Sequence, residues 1–239
     1  MAVARSITFL CNGVSLADAL QSIGVQADQE EIDATVLANT YRSFEGGFKN
    51  GQIDAQGIFD HDGTDADEIH NVLSTAYNDG STNNVTYSLG TVAVGDDAIM
   101  LNGCTMVYDI GMPLGQLITV NAQFKAINGV GFGKWLMHSQ LNAGTNNGTS
   151  VDNAASSANG GIFQVHLHND DASDVDVKLQ HSTDNSVWAD VSGGAVNNLS
   201  ATHASGSVTV SGTINRYTRA VATITGGNTI LVSAAFARR

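Results

Sequence analysis

Two histidines and one aspartate in the C-terminal third have side chains that can bind a transition metal. His166 and His168 stand two residues apart, so both project from the same face of a strand, and Asp176 shares that face if the following strand pairs with the first. Imidazole nitrogens and carboxylate oxygens are ligands that zinc accepts. No further ligand accompanies them. We therefore predict a polar strand face, exposed or buried between subunits, and no bound metal.

The densest group of carboxylates could bind calcium. It comprises Asp60, Asp62, Asp65, Asp67 and Glu68. An EF-hand loop counted from the first of these needs glycine at its sixth position and glutamate at its twelfth. In this chain glycine falls at the fourth position and asparagine at the twelfth. We therefore interpret the acids as partners of a helix dipole, with Asp65 as the N-cap, and not as a calcium loop.

No catalytic motif is evident in the sequence. The patterns G-x-S-x-G, H-E-x-x-H and G-x-x-x-x-G-K-[ST] do not occur. The glycine-rich run 129–134, GVGFGK, lacks the strand, turn and helix of a nucleotide-binding loop, and we predict a turn there. We expect neither an enzyme nor a cofactor.

The composition favours a β protein with a neutral, acidic surface. The chain has 239 residues with 26 Gly and one Pro, so its turns depend on Gly, Asn, Asp and Ser. Ten basic and 23 acidic side chains give a formal charge of −13, which argues against binding nucleic acid through phosphates. Cys11 and Cys104 have no CxxC partner, and we predict reduced, buried thiols. Neither a signal peptide nor a membrane span is expected.

The N-terminal part reads as strand, turn, strand and helix. We predict strands over 32–37 and 52–59, separated by the turn formers EGG and KNG, and a helix near 65–77 with apolar residues at helical spacing. Residues 15–24 fit either a short helix or an extended segment. Further strands are predicted over 85–89, 97–107 and 116–126, and in the last of these Val120, Ala122 and Phe124 should face a core.

We expect three parts in the chain: a β domain over 1–140, a Gly/Asn/Ser-rich loop or linker over 141–160, and a C-terminal β module over 161–239. In that module we predict a hairpin of 162–168 with 175–181, and further strands to the end of the chain. Four aromatic residues should anchor its core, namely Phe163, Trp188, Tyr217 and Phe236.

Two groups of residues are candidates for contacts between subunits. Tyr41, Arg42, Phe44 and Phe48 crowd around Gly46-Gly47, and a free turn rarely needs three aromatic residues.

The second group is Arg216 and Arg219, basic residues in an acidic chain. They could meet the acidic patch 60–68 of another copy head to tail, or remain solvated.

The N-terminal two thirds resembles the major tail tube proteins of long-tailed, non-contractile (siphovirus-type) bacteriophages. The resemblance rests on IDATVLANTYRSFEGGFKNGQIDAQGIFD, on the helix DADEIHNVLSTAYN, and on GCTMVYDIGMPLGQLITVNAQFKAING followed by GKWL. From residue 161 onward, VDVKLQHSTDNSVWADV and NRYTRAVATI resemble a β module that such virion proteins carry.

The resemblance implies a tail-tube-type β-sandwich or barrel flanked by one α-helix, with a C-terminal β-sandwich-like module. It implies a protein of the virion tail, made in the host cytoplasm, that forms rings of six subunits, or of three, which stack into a tube. Tape-measure and tail terminator or tip proteins would be its partners, and DNA would pass without specific binding. An acidic bore would suit that passage. The alternative functions are those of a carbohydrate-binding or capsid-decorating β-sandwich protein.

Overall fold

The computed structural model of the chain describes residues 7–37, 40–60, 65, 67–80, 82–90, 92–168, 174–200, 203–226 and 229–239. Within these residues the protein is mainly β with one α-helix, which confirms the predicted fold class. The elements are β1 (Ile7–Cys11), β2 (Val14–Ser15), β3 (Leu20–Asp33), β4 (Phe44–Ile58), α1 (Ile69–Asn78), β5 (Asn83–Leu89), β6 (Asp97–Gly111), β7 (Thr119–Leu141), β8 (Gly144–Asn147), β9 (Val151–Asp152), β10 (Gly161–Leu167), β11 (Asp174–Ser182), β12 (Ala189–Leu199), β13 (Ser205–Val210), β14 (Tyr217–Thr225) and β15 (Ile230–Arg238).

A large antiparallel sheet forms the frame of the molecule. Its order is β13-β10-β15-β7-β6-β5-β1-β2, and β4, itself paired with β3, adds to β7. One side of β7 pairs with β6, while the other side pairs first with β4 and then with β15. The predicted alternation in β7 is confirmed at Val120, Ala122 and Phe124, which are buried. The length of β7 therefore joins the two halves of the chain in one sheet.

A smaller sheet, β12-β11-β14-β8 with β9 also on β14, packs on the C-terminal part of the large sheet. The core between them contains Phe163 and Val165 from β10 and Val177 and Leu179 from β11. The predicted hairpin of β10 with β11 is wrong, because β10 pairs with β13 and β15 whereas β11 pairs with β12 and β14. The apolar faces do meet, but across the sandwich core, since alternation specifies which face is buried and not which strand is the neighbour.

The single helix of the described residues packs on a second core formed with β1, β4, β5, β6 and β7. Ile69, Val72 and Leu73 are buried on its inner face, as the spacing predicts. The predicted cap is wrong, because the helix begins after Glu68, which makes no side-chain capping bond. Asp65 instead accepts a hydrogen bond on its backbone carbonyl from Nδ2 of the Asn71 side chain, at 2.7 Å. Asp62 of the acidic cluster lies outside the described residues.

The helical alternative for residues 15–24 is wrong. Residues 14–15 form β2, and the strand β3 begins at Leu20 and pairs with β4 from Gly57 onward. Backbone pairing along two long strands outweighs the weak helical spacing of so short a segment.

Residues 141–160 do not form a plain loop, because β8 and β9 lie within this range and both pair with β14. Strands from before and after this range belong to one sheet, since β15 pairs with β7. The division into units over 1–140 and 161–239 stays a prediction, and two such units would share one sheet.

The glycine-rich run 129–134 lies within β7, so the predicted turn is wrong. Gly133 pairs with Ala98 of β6, and a Cβ atom there would overlap the carbonyl oxygen of Phe236 on β15. Glycine is needed here because β15 approaches the backbone of β7 too closely for any side chain.

Candidate assembly surface

The hairpin of β3 with β4 extends beyond the large sheet. Residues 52–58 of β4 pair with β7, but residues 44–51 pair only with β3, as in the pairs Asp28 with Asn50 and Ile32 with Glu45. We call residues 26–37 and 40–51 the arm. The arm is a two-stranded ribbon, and nearly every residue of β3 in it is exposed.

The predicted turn at EGG and KNG is wrong, because both sequences lie inside β4. The pairing shifts between Gln29 and Glu31, where β4 supplies an extra residue to the ladder. Side chains of β3 lie over Gly46 and Gly47, where a Cβ atom would collide with them. The two glycines thus leave room for side chains of the neighbouring strand at the point where the pairing of the ribbon is irregular.

The predicted strand over 32–37 is wrong beyond Asp33, where β3 ends, and polar contacts join residues 33–35 to Ser43. The Ala34 amide donates to the Ser43 carbonyl at 2.9 Å, and the Ser43 amide donates to the Thr35 hydroxyl at 2.9 Å. The Thr35 amide donates to the Asp33 carboxylate at 2.9 Å. Hydrogen bonds from Thr35 lower the pKa of Asp33, which therefore stays ionised at the arm tip.

The four contact candidates all lie exposed on the arm. The exposed fraction is 84% for Tyr41, 83% for Phe48 and 49% for Phe44, and Arg42 is exposed as well. Leu37 and Val36 add exposed apolar surface at the tip. Large apolar side chains concentrated on one projecting ribbon are typical of a surface that contacts another molecule. The contact of these four residues with another subunit stays a prediction.

The two arginine candidates are engaged within the chain. Arg216 donates from Nε and Nη2 to both carboxylate oxygens of Asp152, at 2.7 and 2.6 Å. This pairing lowers the pKa of Asp152 to about 2. The Arg219 guanidinium lies 4.3 Å from the centre of the Trp188 ring and donates to Gln180. Arg216 thus has an acidic partner within its own chain, and the contact of Arg216 and Arg219 with the patch 60–68 of another copy stays a prediction.

Two of the four predicted core anchors are correct. Phe163 and Phe236 are buried, whereas Trp188 and Tyr217 are only half-buried. An arginine covers each of the latter, since Arg219 lies over Trp188 and Arg216 lies over Tyr217. Such pairs can form at the surface because a guanidinium stacks well on an aromatic ring.

A second exposed apolar group lies where β6 turns into β7, and the sequence reasoning missed it. The exposed fractions of Met112, Leu114 and Leu117 are 73%, 103% and 63%. The sequence did hold a signal for this group. Its apolar residues lie beside Pro113, the one proline of the sequence, and do not alternate as residues of a buried strand face do.

The histidine pair lies in the interior of the chain and does not form a metal site with Asp176. His166 is fully buried, and its Nδ1 accepts a hydrogen bond from the Gly13 amide at 3.2 Å. Asp176 lies in the other sheet, where it accepts a hydrogen bond from the Asn198 amide at 2.9 Å. The described residues contain no group of three or more His, Cys, Asp or Glu that could hold a metal ion.

The tautomer of His166 follows from its partners. Since Nδ1 accepts, Nε2 carries the proton and donates to Thr86 Oγ1 at 2.9 Å, and the Thr86 hydroxyl in turn donates to Gln164. Burial lowers the pKa of His166 to about 3. Burial, together with neighbouring histidines, lowers the pKa of His168 to about 4. Both rings are therefore neutral, and His166 is part of a buried polar network with Gly13, Thr86 and Gln164.

This network brings the two ends of the large sheet together. Gly13 lies in the β1–β2 turn, at one end of the sheet order, and His166 lies on β10, next to the other end. A Cβ atom at Gly13, whose φ is +93°, would collide with the backbone of residues 167 and 203–204. The large sheet is thus rolled so far that its two ends touch.

Both cysteines are free thiols, and the predicted burial is correct for Cys11 but wrong for Cys104. Cys11 is buried, which raises its pKa to about 12, and Cys104 is partly exposed. No helix among the described residues is long and apolar enough to span a bilayer.

No protein-family model matches the chain, and no curated protein matches it. Among solved structures, it is similar to a chain in the virion of a native gene transfer agent particle, at 13% identity and a TM-score of 0.44, over 55% of this chain and 98% of that one. It is also similar to the SPP1 tail tube, at 12% identity and a TM-score of 0.44, over 54% and 78% of the two chains. The similarity to the SPP1 Dit protein, a hub of the adsorption apparatus, covers 97% and 98% at 13% identity, with a TM-score of 0.38.

Proposed function

We propose that the chain is a structural protein of a phage-type tail and that copies of it assemble into stacked rings. The rings form a tube through which DNA passes. The protein acts in the virion tail after synthesis in the host cytoplasm. The proposal extends the resemblance of the sequence to tail tube proteins.

The arm is the observation that carries the proposal. It is a ribbon of two strands, and one edge of β3 has no hydrogen-bonded neighbour among the described residues. Its side chains include three exposed aromatic residues, Tyr41, Phe44 and Phe48. A ribbon of two strands has little stability of its own, and an unprotected strand edge invites pairing with another chain. The arm therefore suits a protein that is complete only in contact with its neighbours.

The charge of the chain supports passage of DNA through such an assembly. The formal charge is −13, and several of the ten basic residues are already paired, as Lys134 is with Asp97 at 2.8 Å and Arg216 with Asp152. An acidic wall repels phosphates, so DNA can slide without being held.

In this proposal the protein acts without catalysis and without a cofactor. Its main partner is a further copy of itself, in rings of six as the favoured number, and its other partners are tape-measure and tail terminator or tip proteins. The large sheet would form the wall of the tube, and the arm would form the contacts between copies.

A carbohydrate-binding function has less support. Such a protein presents an open aromatic platform beside polar groups. The best candidate, Trp188, is half-buried, and Arg219 already covers one face of its ring. A capsid-decorating protein would form small oligomers and no tubes.

Light scattering coupled to size-exclusion chromatography tests the proposal. We expect the mass of the purified chain to increase with concentration beyond a dimer. A mass that stays at 24.8 kDa at every concentration, combined with binding to a glycan array, would overturn the proposal in favour of the carbohydrate-binding alternative.

A further inference from the structure

A gap interrupts the large sheet beside β7. Along one side of this strand, pairing with β4 ends at Lys125 and pairing with β15 begins at Lys134. On that side no described strand pairs with residues 126–133. Residues 44–51 of the arm pair only with β3, although Gly51 packs closely against Val130 of β7. The gap is therefore a break in the sheet between the arm and β15, beside residues 126–133 of β7.

Basic side chains gather around this gap. A cleft of about 790 Å³ between the arm and the C-terminus is lined by Lys49, Arg238 and Arg239, and a cleft of about 370 Å³ beside the arm is lined by Lys125. These are four of the ten basic residues of the whole chain. Asp28 is the one carboxylate that lines either cleft. We use the name basic cleft for the gap together with Lys49, Lys125, Arg238 and Arg239.

Two of the cations are held in place by backbone oxygens. Arg239 donates to the Asn128 carbonyl at 3.1 Å, and Arg238 donates to the carbonyls of Ala155 and Asn153 at 2.6 and 3.1 Å. A carbonyl partner leaves the positive charge of a guanidinium uncompensated. The basic cleft therefore carries a net positive charge in an otherwise acidic molecule, and it suits an acidic partner.

The same chain carries an acidic strand segment of matching form. Glu30, Glu31 and Asp33 lie on the exposed part of β3, with apolar Ile32 among them. Their strand is hydrogen-bonded on one side only among the described residues, so its other edge can pair with a further strand. Within one copy these residues lie on the ribbon that forms a wall of the cleft, and they do not fill it.

We propose that the basic cleft receives the acidic segment 30–33 of a second copy. This inference rests on the proposed function and names the contact by which copies would join. The cleft and the segment are different surfaces, so the contact is head-to-tail and repeats from copy to copy, as a ring or stack requires. Opposite charges select the partner and its register, and salt weakens the attraction.

A nucleic acid is the other acidic partner to be considered. Binding through phosphates depends on an extended basic face, whereas this cleft holds four cations on a chain with a formal charge of −13. A short strand segment with three carboxylates matches the charge of the cleft better.

Charge exchange between two variants tests the contact. The cleft variant is Lys49→Glu with Lys125→Glu, and the arm variant is Glu30→Lys with Glu31→Lys; all four side chains are exposed. Each variant alone should need a concentration about tenfold or more above that of the wild type to assemble, because like charges then face each other. An equimolar mixture should assemble near the wild-type concentration, since each variant complements the other. Such rescue also shows that both variants fold.

Matched controls lie on the smaller sheet. Lys178→Glu and Asp174→Lys change exposed charges far from the arm in sequence and should assemble as the wild type does. If both contact variants also assemble as the wild type does, or if the mixture gives no rescue, the contact is wrong while self-assembly stands. If the wild type does not assemble, the proposed function itself fails. Binding of duplex DNA that the cleft variant loses, with assembly unchanged, would assign the cleft to nucleic acid and overturn the proposal.

Discussion

Acid should unfold this protein through its buried histidines, and His166 gives the sharpest test. Its Nδ1 accepts a hydrogen bond from the Gly13 amide, so a proton added at Nδ1 would place two donors against each other. His168, just after the same strand, would once charged also repel a positive charge on His166. A charged His166 is therefore disfavoured in the folded state by geometry as well as by burial.

The sign and size of the effect follow from the two states. The pKa of His166 is about 3 in the folded protein against an ordinary value of 6.5, so the unfolded chain binds the proton first. Stability is complete above about pH 6.5 and falls as the pH drops towards the folded value. Each pH unit within that window costs about 1.4 kcal/mol, so the loss at pH 5 is about 2 kcal/mol for His166. His168, whose folded pKa is about 4, adds a similar loss.

Urea unfolding followed by tryptophan fluorescence measures this loss, since Trp135 is fully buried. Carboxylates with lowered pKa values, such as Asp152 and Asp184, lose their stabilising effect only at lower pH, because their ordinary value is 3.8. The free energy of unfolding should therefore fall by about 4 kcal/mol between pH 7.5 and pH 5, and His166→Asn should remove about half of that fall. His181→Asn, at a less buried histidine, should change the fall less. Equal pH dependence in wild type and His166→Asn would refute the reasoning.

Three further predictions concern packing, thiol chemistry and the arm. Gly133→Ala should lower the free energy of unfolding by about 2 kcal/mol or more, because the new Cβ overlaps a backbone oxygen of β15 that cannot move away freely; chemical denaturation measures it. Ellman's reagent should titrate Cys104 and not Cys11 in the folded monomer, and both after unfolding, because burial disfavours the Cys11 thiolate. Phe44→Ser with Phe48→Ser should impair assembly more than it lowers the melting temperature of the monomer, because both rings are exposed in one copy.

Each of these predictions has a control in the same chain. Gly24→Ala should be nearly neutral, since the nearest atom to its new Cβ lies 3.8 Å away and the position has no positive φ. An equal loss in both glycine variants would rule out the close approach as the cause. Val187→Ser changes an exposed apolar residue outside the arm and should leave assembly intact. Fast reaction of both thiols in the folded state would contradict the burial of Cys11.

Patterns of alternation and helical spacing predicted most elements of the fold. Helix α1 and most strands follow from such patterns, because burial of one face dominates local structure. The patterns did not predict which strands pair with each other, as the wrongly predicted hairpin of β10 with β11 shows. The alternation indicates only that Val165 and Val177 are buried in the same core. Two packed sheets bury both residues as well as one hairpin would.

Two glycine-rich runs that were predicted as turns lie inside strands, for the same physical reason. Both the arm sequence around Gly46 and the run around Gly133 read as turns, yet each lies inside a strand. Glycine serves there to let another chain segment approach closely, and the approaching segment is distant in sequence. Only the tertiary structure reveals that use of glycine.

The candidate contact surface was predictable in part. The aromatic residues Tyr41, Phe44 and Phe48 stood out because a turn has no core to bury them in, and they are exposed on the arm. The basic cleft was not predictable, because Lys49, Lys125 and the terminal arginines come together only through the pairing of β4, β7 and β15. Charge clusters built from distant strands leave no local signature.

Negative-stain electron microscopy of the purified chain at high concentration tests the central claim most directly. The proposed function predicts rings, or hollow tubes of stacked rings, that disappear when Phe44 and Phe48 are both replaced by serine. A field of uniform single copies at every concentration would contradict the claim that the chain assembles through its arm.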